Sequence, residues 1–330
     1  MVPWMVGFAA AAAPHRLRAG TDALGSLLRR AWPAWRGEIA ASGLGDLFVS
    51  RGSLHLFERV ATLSVAEAEG RVLAGQGVAF EDLSASAARA RVPGLAVQVA
   101  GGRYFPGNTH VRDPRAVVNR LADRFVADGG RIERQFVAGF DIAGGKVHAV
   151  RTPTGELEVG GVVVAAGADA GRLGRMLGAV TPLTRERGYH VMVASDDLPL
   201  DQPVACAERG FVLTPMSMGT RLAGTVELGG GEAPDWRRAD ILLTHASALF
   251  GKPSLAITDR WFGNRPTLPD YLPMIGPAPR AANAVLALGH QHLGLTLAAI
   301  TGALVTELVQ GTPPSLDIAA FAAGRFGQTG

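Results

Sequence analysis

Cysteine is nearly absent from this sequence, and Cys206 stands alone. A single thiol excludes an internal disulfide and any cysteine-based metal cluster, and no metal site is read from the sequence. It fits a small buried hydrophobe in a reducing, cytoplasmic compartment. Lysine is almost as scarce, with Lys146 and Lys252 the only two. The formal charge of +3 therefore rests on arginines, which are spread along the chain and interleaved with acids. No basic patch results, so nucleic acid is not an expected partner. No uninterrupted apolar run reaches the ~18 residues of a membrane span. The start, from Met1 to Ala13, is apolar but has no basic residue ahead of it, unlike a secretion signal. It reads as a lead-in packed on the core. Internal repeats and low-complexity linkers are lacking as well.

What is present is a chain of 330 residues, 48% hydrophobic and 18% charged, enough to bury a large core in one or two interleaved domains. Apolar residues from Leu24 to Ile39 recur at helical spacing, with Pro33 expected to kink the helix or start a second one. Asp46 to Phe57 reads as a hairpin turning at Arg51-Gly52, residues 60–90 as helix, and Val97 to Phe105 as a strand. Asp113-Pro114 starts a helix closed by Gly129-Gly130. Three short strands follow, at about 135–142, 146–152 and 156–158. Gly161 to Gly167 is apolar enough for a fully buried strand. Residues 182–262 change to alternating strands with a helix from about Pro234 to Phe250, which predicts a mainly antiparallel sheet.

The stretch 283–311 organises the rest. Ala284 to Leu288 reads as a buried strand, followed by a turn of glycine and histidine. A helix then runs from about Gly294 to Gln310 and stops at Gly311, ahead of Pro313 and Pro314. This order puts unpaired N–H groups and a positive dipole end at one point, a place for something planar and electron-rich, or anionic.

Three motifs stand in fixed order: Val-Val-Ala-Ala-Gly at 163–167, Gly-Asn-Arg-Pro-Thr-Leu-Pro-Asp with Pro-Met-Ile-Gly across 263–276, and Gly-His-Gln-His-Leu-Gly-Leu-Thr at 289–296. Together they resemble the FAD-dependent oxidoreductases of the D-amino-acid oxidase superfamily, in particular D-amino-acid dehydrogenases, glycine oxidases and hydroxyproline-type dehydrogenases. The resemblance covers essentially the whole chain. It implies an α/β fold of mixed α+β character, in which an FAD-binding Rossmann-like domain is interleaved with an antiparallel-sheet substrate domain. The FAD domain is expected at 1–43, 110–181 and 263–330, and the substrate domain at 44–109 and 182–262. The family's opening Gly-x-Gly-x-x-Gly turn is not found, and Gly20 and Gly25 have the wrong spacing for it. By resemblance Met1 falls well inside a family member, so the chain reads as N-terminally truncated.

By the same resemblance, Arg265 would hold a substrate carboxylate bidentately, as lysine could not. Tyr189 would face that carboxylate, the alternative being an aromatic of the substrate-domain sheet. His290 would lie against the flavin, and His292 would take a substrate-side role. Ala166, Gly167, Gly289, Gly294, Leu295 and Thr296 complete the expected cofactor contacts. His110 is a weaker candidate, while Asp270 and Asn264 read as loop-fixing residues. FAD would be non-covalent, because 263–276 contains no cysteine. The implied reaction is hydride transfer from the Cα of a D-amino acid or related amine to flavin N5. Two other readings stay open: a cyclic or secondary amine dehydrogenase, and a non-catalytic remnant that no longer binds FAD. The electron acceptor is not readable, and the resemblance leaves room for a peripheral contact with the inner membrane or with a partner subunit.

Overall fold

Leu297, Ile300, Thr301 and Leu304 recur on one helical face. In the computed structural model, which describes residues 2–229 and 233–327, they are the buried residues of the helix Gly294–Gln310. Gly311 closes that helix in the left-handed region at φ +71°, where a side chain would be strained. The helix Pro14–Ser42 packs beside it and buries Leu27, Ala31 and Trp35 at four-residue intervals. The expected break at Pro33 is absent, and the helix runs through all 29 residues. Ala31 and Trp35, on either side of the proline, are anchored on the neighbouring helix, and this packing outweighs the one lost backbone bond. The window Gln291–Val309 has a mean hydropathy of 1.5 and is, by length and composition, the one described helix able to cross a membrane. The search for uninterrupted apolar runs passed over it because His292, Thr296, Thr301 and Glu307 interrupt the stretch. Leu297, Ile300 and Leu304 are buried with Leu27, Ala31 and Phe321, as in a core helix.

The chain divides into two compact units. The first comprises Met1–Ser42, Asp123–Glu186 and Asn264–Gly330, and the second Gly43–Ala122 and Arg187–Gly263. The expected breaks at 110 and 182 fall instead at 123 and 187.

In the first unit, Ala281–Leu288 is the middle strand of a three-stranded sheet, between Met274–Ala278 and Val162–Val164. The pairing with Val162–Val164 is parallel, with Val285 opposite Val163. Full burial of 161–167 is not observed. Only three residues form the strand, and Val163 is 43% exposed, because this is an edge strand among the described residues. A second sheet, Gly139–Ala143, Lys146–Thr152 and Gly155–Glu158, is tied to the first by Asn283. Its Oδ1 accepts from the Val147 amide at 2.8 Å, and its Nδ2 donates to the carbonyls of Val147 at 2.8 Å and Gly160 at 2.9 Å.

The second unit is built on a sheet of eight strands. Thr184–Val193 and Ile257–Thr267 belong to it and carry the chain across the unit boundaries. The helix Arg237–Phe250 buries Ala239, Leu242, Ala246 and Leu249 in the core with Leu213 and Leu222. The expected hairpin at 46–57 does not form. Phe48–Val49 pairs with His110–Val111, while Ser53–Phe57 pairs antiparallel with Gly101–Phe105 and parallel with Val204–Cys206. A local turn signal cannot reveal such distant partners. The helix expected over 60–90 ends at Gly75, and Glu81–Ser84 is an edge strand.

Replacing Asn283 by Ala would leave the buried Val147 amide without its acceptor. The expected loss is about 1–3 kcal/mol of stability, read as a lower urea midpoint at unchanged slope.

Candidate active site

The strand Ile257–Thr267 ends in a proline-rich loop that several unrelated contacts hold still. Asp270 accepts both Arg325 Nε at 2.7 Å and Arg325 Nη2 at 3.1 Å, and the same arginine donates to the Leu272 carbonyl at 2.8 Å. Trp4 Nε1 donates to the Thr267 carbonyl at 3.2 Å, and the Phe8 ring lies 5.6 Å from that of Tyr271. Asp270 is thus the loop-fixing residue its sequence context suggested. Arg265 emerges where this loop begins. Its Nη1 pairs with Glu186 Oε1 at 3.0 Å, with side-chain exposures of 27% for the arginine and 8% for the glutamate. Glu186 also accepts from Thr267 Oγ1 at 3.1 Å and from the Tyr271 hydroxyl. Burial pushes the Tyr271 phenol above its usual range, the negative charge of Glu186 adds to this, and Arg265 opposes it.

The glycine-histidine turn stands against the same loop. His290 forms an isolated antiparallel bridge with Thr267. Gly289 sits at φ +77°, and a Cβ there would come within 2.5 Å of Leu268 Cδ1, so both backbone angle and space call for glycine. Burial lowers His290 to about 4, leaving a neutral ring whose Nε2 lies 3.0 Å from Thr301 Oγ1. Gln291 and Tyr271 are the only described non-glycine residues with positive φ, at 49° and 59°. They touch one another: the Gln291 side-chain amide donates to the Tyr271 carbonyl. His292 is exposed in the short helical turn Gln291–Leu293. Its pKa is lowered first by burial and next by the charge of Arg265, with Glu186 opposing. Arg265, Glu186, Tyr271 and His292 therefore share one electrostatic neighbourhood.

The remaining expected cofactor contacts divide. No side chain caps the helix that starts at Gly294, which leaves its first amides and dipole end available to a ligand. Gly294 itself has room for a Cβ, with His290 Cβ 3.9 Å away, so close approach of a ligand is the one reason left for glycine there. The carbonyls of Leu295 and Thr296 accept from Trp35 Nε1 at 2.9 and 3.1 Å, which pins the helix start. Ala166 and Gly167 are exposed beyond Val162–Val164, and Gly167 has φ +55°. Among the sequence-derived candidates, Tyr189 is placed differently. It is 1% exposed in the core of the second unit, its hydroxyl donating to Glu227 Oε2 at 2.7 Å and accepting from the Asp235 amide at 2.8 Å. That hydroxyl fastens the sheet, so the alternative of a sheet aromatic describes it. His110 also lies in the second unit, with its pKa lowered by burial. Cys206 is buried there, its thiol pushed up to about 12 and inert.

Glu186 and Tyr271 escaped the sequence reading. Glu186 precedes Arg187-Gly188-Tyr189-His190 by one residue, and Tyr271 follows the Pro269-Asp270 turn. Only their meeting around Arg265 marks them.

This strand, glycine turn and uncapped helix start, beside a buried ion pair, define a class of protein. Residues 6–308 match the family model described as FAD dependent oxidoreductase. The chain belongs to this family and is an FAD-dependent oxidoreductase. It is 34% identical to a D-amino-acid oxidase of Bradyrhizobium diazoefficiens over 98% of this chain and 78% of that protein. It is 31% identical to a D-amino acid dehydrogenase of Rhizorhabdus wittichii over 84% of this chain and 68% of that one. Among solved structures it resembles glycine oxidase from Geobacillus kaustophilus, with a TM-score of 0.82 and 26% identity over 90% of this chain and 81% of that one.

The residues present fit one side of the cofactor. Gly289 and the uncapped start of Gly294–Gln310 offer backbone donors and close approach to an electron-rich ring edge. No cysteine stands in 263–276 to attach it covalently.

The low pKa of His290 has a consequence for stability. The folded form resists protonation while the unfolded chain takes a proton below about pH 6.5, so this residue's contribution is complete above that pH. It is lost as pH falls towards 4 and is worth on the order of 2–3 kcal/mol. Urea midpoints across this window should therefore fall less steeply in His290→Gln than in the parent protein, although His190 titrates in the same range in both.

Proposed function

We propose that this protein oxidises the carbon–nitrogen bond of a D-amino acid or related amine, with the substrate carboxylate held by Arg265. The observation that carries this reading is the position of Arg265. It is held at one terminal nitrogen by a buried glutamate, keeps part of its fork exposed, and stands beside His292 and the glycine-histidine turn. The guanidinium fork suits a carboxylate, and one terminal nitrogen and Nε remain to meet it. Names of the relatives, D-amino-acid oxidase and D-amino acid dehydrogenase, support the same chemistry.

FAD, when bound, supplies the two-electron acceptor for the substrate's Cα hydride. What the chain itself contributes is orientation. Arg265 fixes one end of the substrate, the loop holding it is locked by Asp270–Arg325, and Gly289 to Thr296 would seat the ring edge of the cofactor. His292, kept largely neutral near neutral pH by its surroundings, is placed to hydrogen-bond on the substrate side without adding positive charge. Loss of hydride and proton gives an imine, and water converts it to an oxo acid and ammonia.

Arg265→Ala should lower kcat/KM by the equivalent of about 2–4 kcal/mol, mostly through KM, with Arg265→Lys recovering only part of it. Steady-state kinetics on FAD-loaded protein checks this, and an unchanged kcat/KM in Arg265→Ala would remove that residue from the site. Protein that shows no flavin absorption after incubation with FAD would overturn the enzymatic reading of this chain.

A further inference from the structure

We propose that Glu186 is a positioning residue that sets the net charge the site accepts, reserving Arg265 for a ligand that carries its own cation beside the carboxylate. The inference rests on the reading of Arg265 given above and adds to it.

The argument starts from burial. Only 8% of the Glu186 side chain is exposed, and its two oxygens take three donors: Arg265 Nη1 at 3.0 Å, Thr267 Oγ1 at 3.1 Å and the Tyr271 hydroxyl. A carboxylate so placed is retained only because it is paired and hydrogen-bonded. Each partner is fixed from behind. The Thr267 carbonyl accepts from Trp4, and the Tyr271 carbonyl accepts from Gln291, whose backbone and that of Tyr271 both sit at positive φ. Backbone strain at two touching residues persists where surrounding contacts over-determine the geometry, as they do here.

The electrostatic consequence follows directly. Glu186 already balances the charge of Arg265, and His292 is discouraged from protonation by burial and by that same arginine. A simple monoanion docking on the rest of the fork would bring a second negative charge close to Glu186, in a poorly hydrated place where like charges repel strongly. A zwitterion brings one positive and one negative charge and leaves the balance unchanged. The site is thereby tuned for an ammonium-bearing carboxylate against the isosteric acid that lacks the amine, which is specificity by repulsion as well as attraction.

The test uses D-alanine and propionate, which share a carbon skeleton, with binding measured by calorimetry on the FAD-loaded protein and kcat and KM measured for D-alanine. The unaltered protein should bind propionate more weakly than D-alanine by on the order of tenfold. Glu186→Gln keeps the shape and removes the charge. It should tighten propionate binding by on the order of tenfold and raise the KM for D-alanine, so the preference narrows or inverts. Tyr271→Phe, which removes a donor and leaves the charge, should change both ligands in parallel. Equal binding of the two ligands by the unaltered protein, or a parallel loss of both in Glu186→Gln, would overturn the proposal. The first of these needs no variant to fold. Arg265→Ala separates the two readings: if it abolishes binding of both ligands while Glu186→Gln affects them equally, only the role of Glu186 fails. If Arg265→Ala changes neither, the carboxylate site itself is wrong.

Discussion

A carboxylate out of water must be satisfied, and the geometry around Glu186 follows from that requirement. Its three donors come from different places in the sequence: Arg265 and Thr267 at the end of one strand, and Tyr271 four residues further on in a turn. Placing them together requires the proline-rich loop to fold back, which in turn requires the Asp270–Arg325 pair and the contacts from Trp4 and Phe8. A buried pair of this kind is weak evidence for stability, since desolvation cancels most of the attraction. It is better understood as a device that fixes where an arginine points. The apolar packing of Leu27, Ala31, Ile300 and Leu304 carries the stability, and the ion pair carries the geometry.

Strain is stored in the same place. Tyr271 and Gln291 are joined by a hydrogen bond and occupy backbone conformations that glycine would adopt more cheaply. Gln291 also stands between two histidines of opposite character: His290, buried and neutral, and His292, exposed towards Arg265. Because the turn is strained, one histidine can face the interior while its neighbour two residues on faces out. An unstrained helical start would not separate them so sharply.

Much of the fold was legible in the sequence. The helix Gly294–Gln310 and its stop at Gly311 follow from local rules of apolar spacing and left-handed closure, and they agree to the residue. Features set by distant partners were not legible. The supposed hairpin around Arg51-Gly52 pairs its two strands with different neighbours, and the apolar Val162–Val164 is an edge strand rather than a buried one. Pro33 signalled a break that helix packing overrode. At the site, Arg265, His290 and His292 could be picked out from motif and spacing, whereas Tyr189 was assigned a hydroxyl role that burial among Glu227 and Asp235 takes away.

The sequence by itself determined the family, the order of strand, glycine turn and helix, and the presence of a carboxylate-type arginine, because each is written in consecutive residues. Only the tertiary structure decided which charge stands beside that arginine and which tyrosine is its neighbour. Glu186 and Arg265 are 79 positions apart, and no local pattern relates them. Their pairing exists only because a buried charge must find its partner wherever the fold brings one.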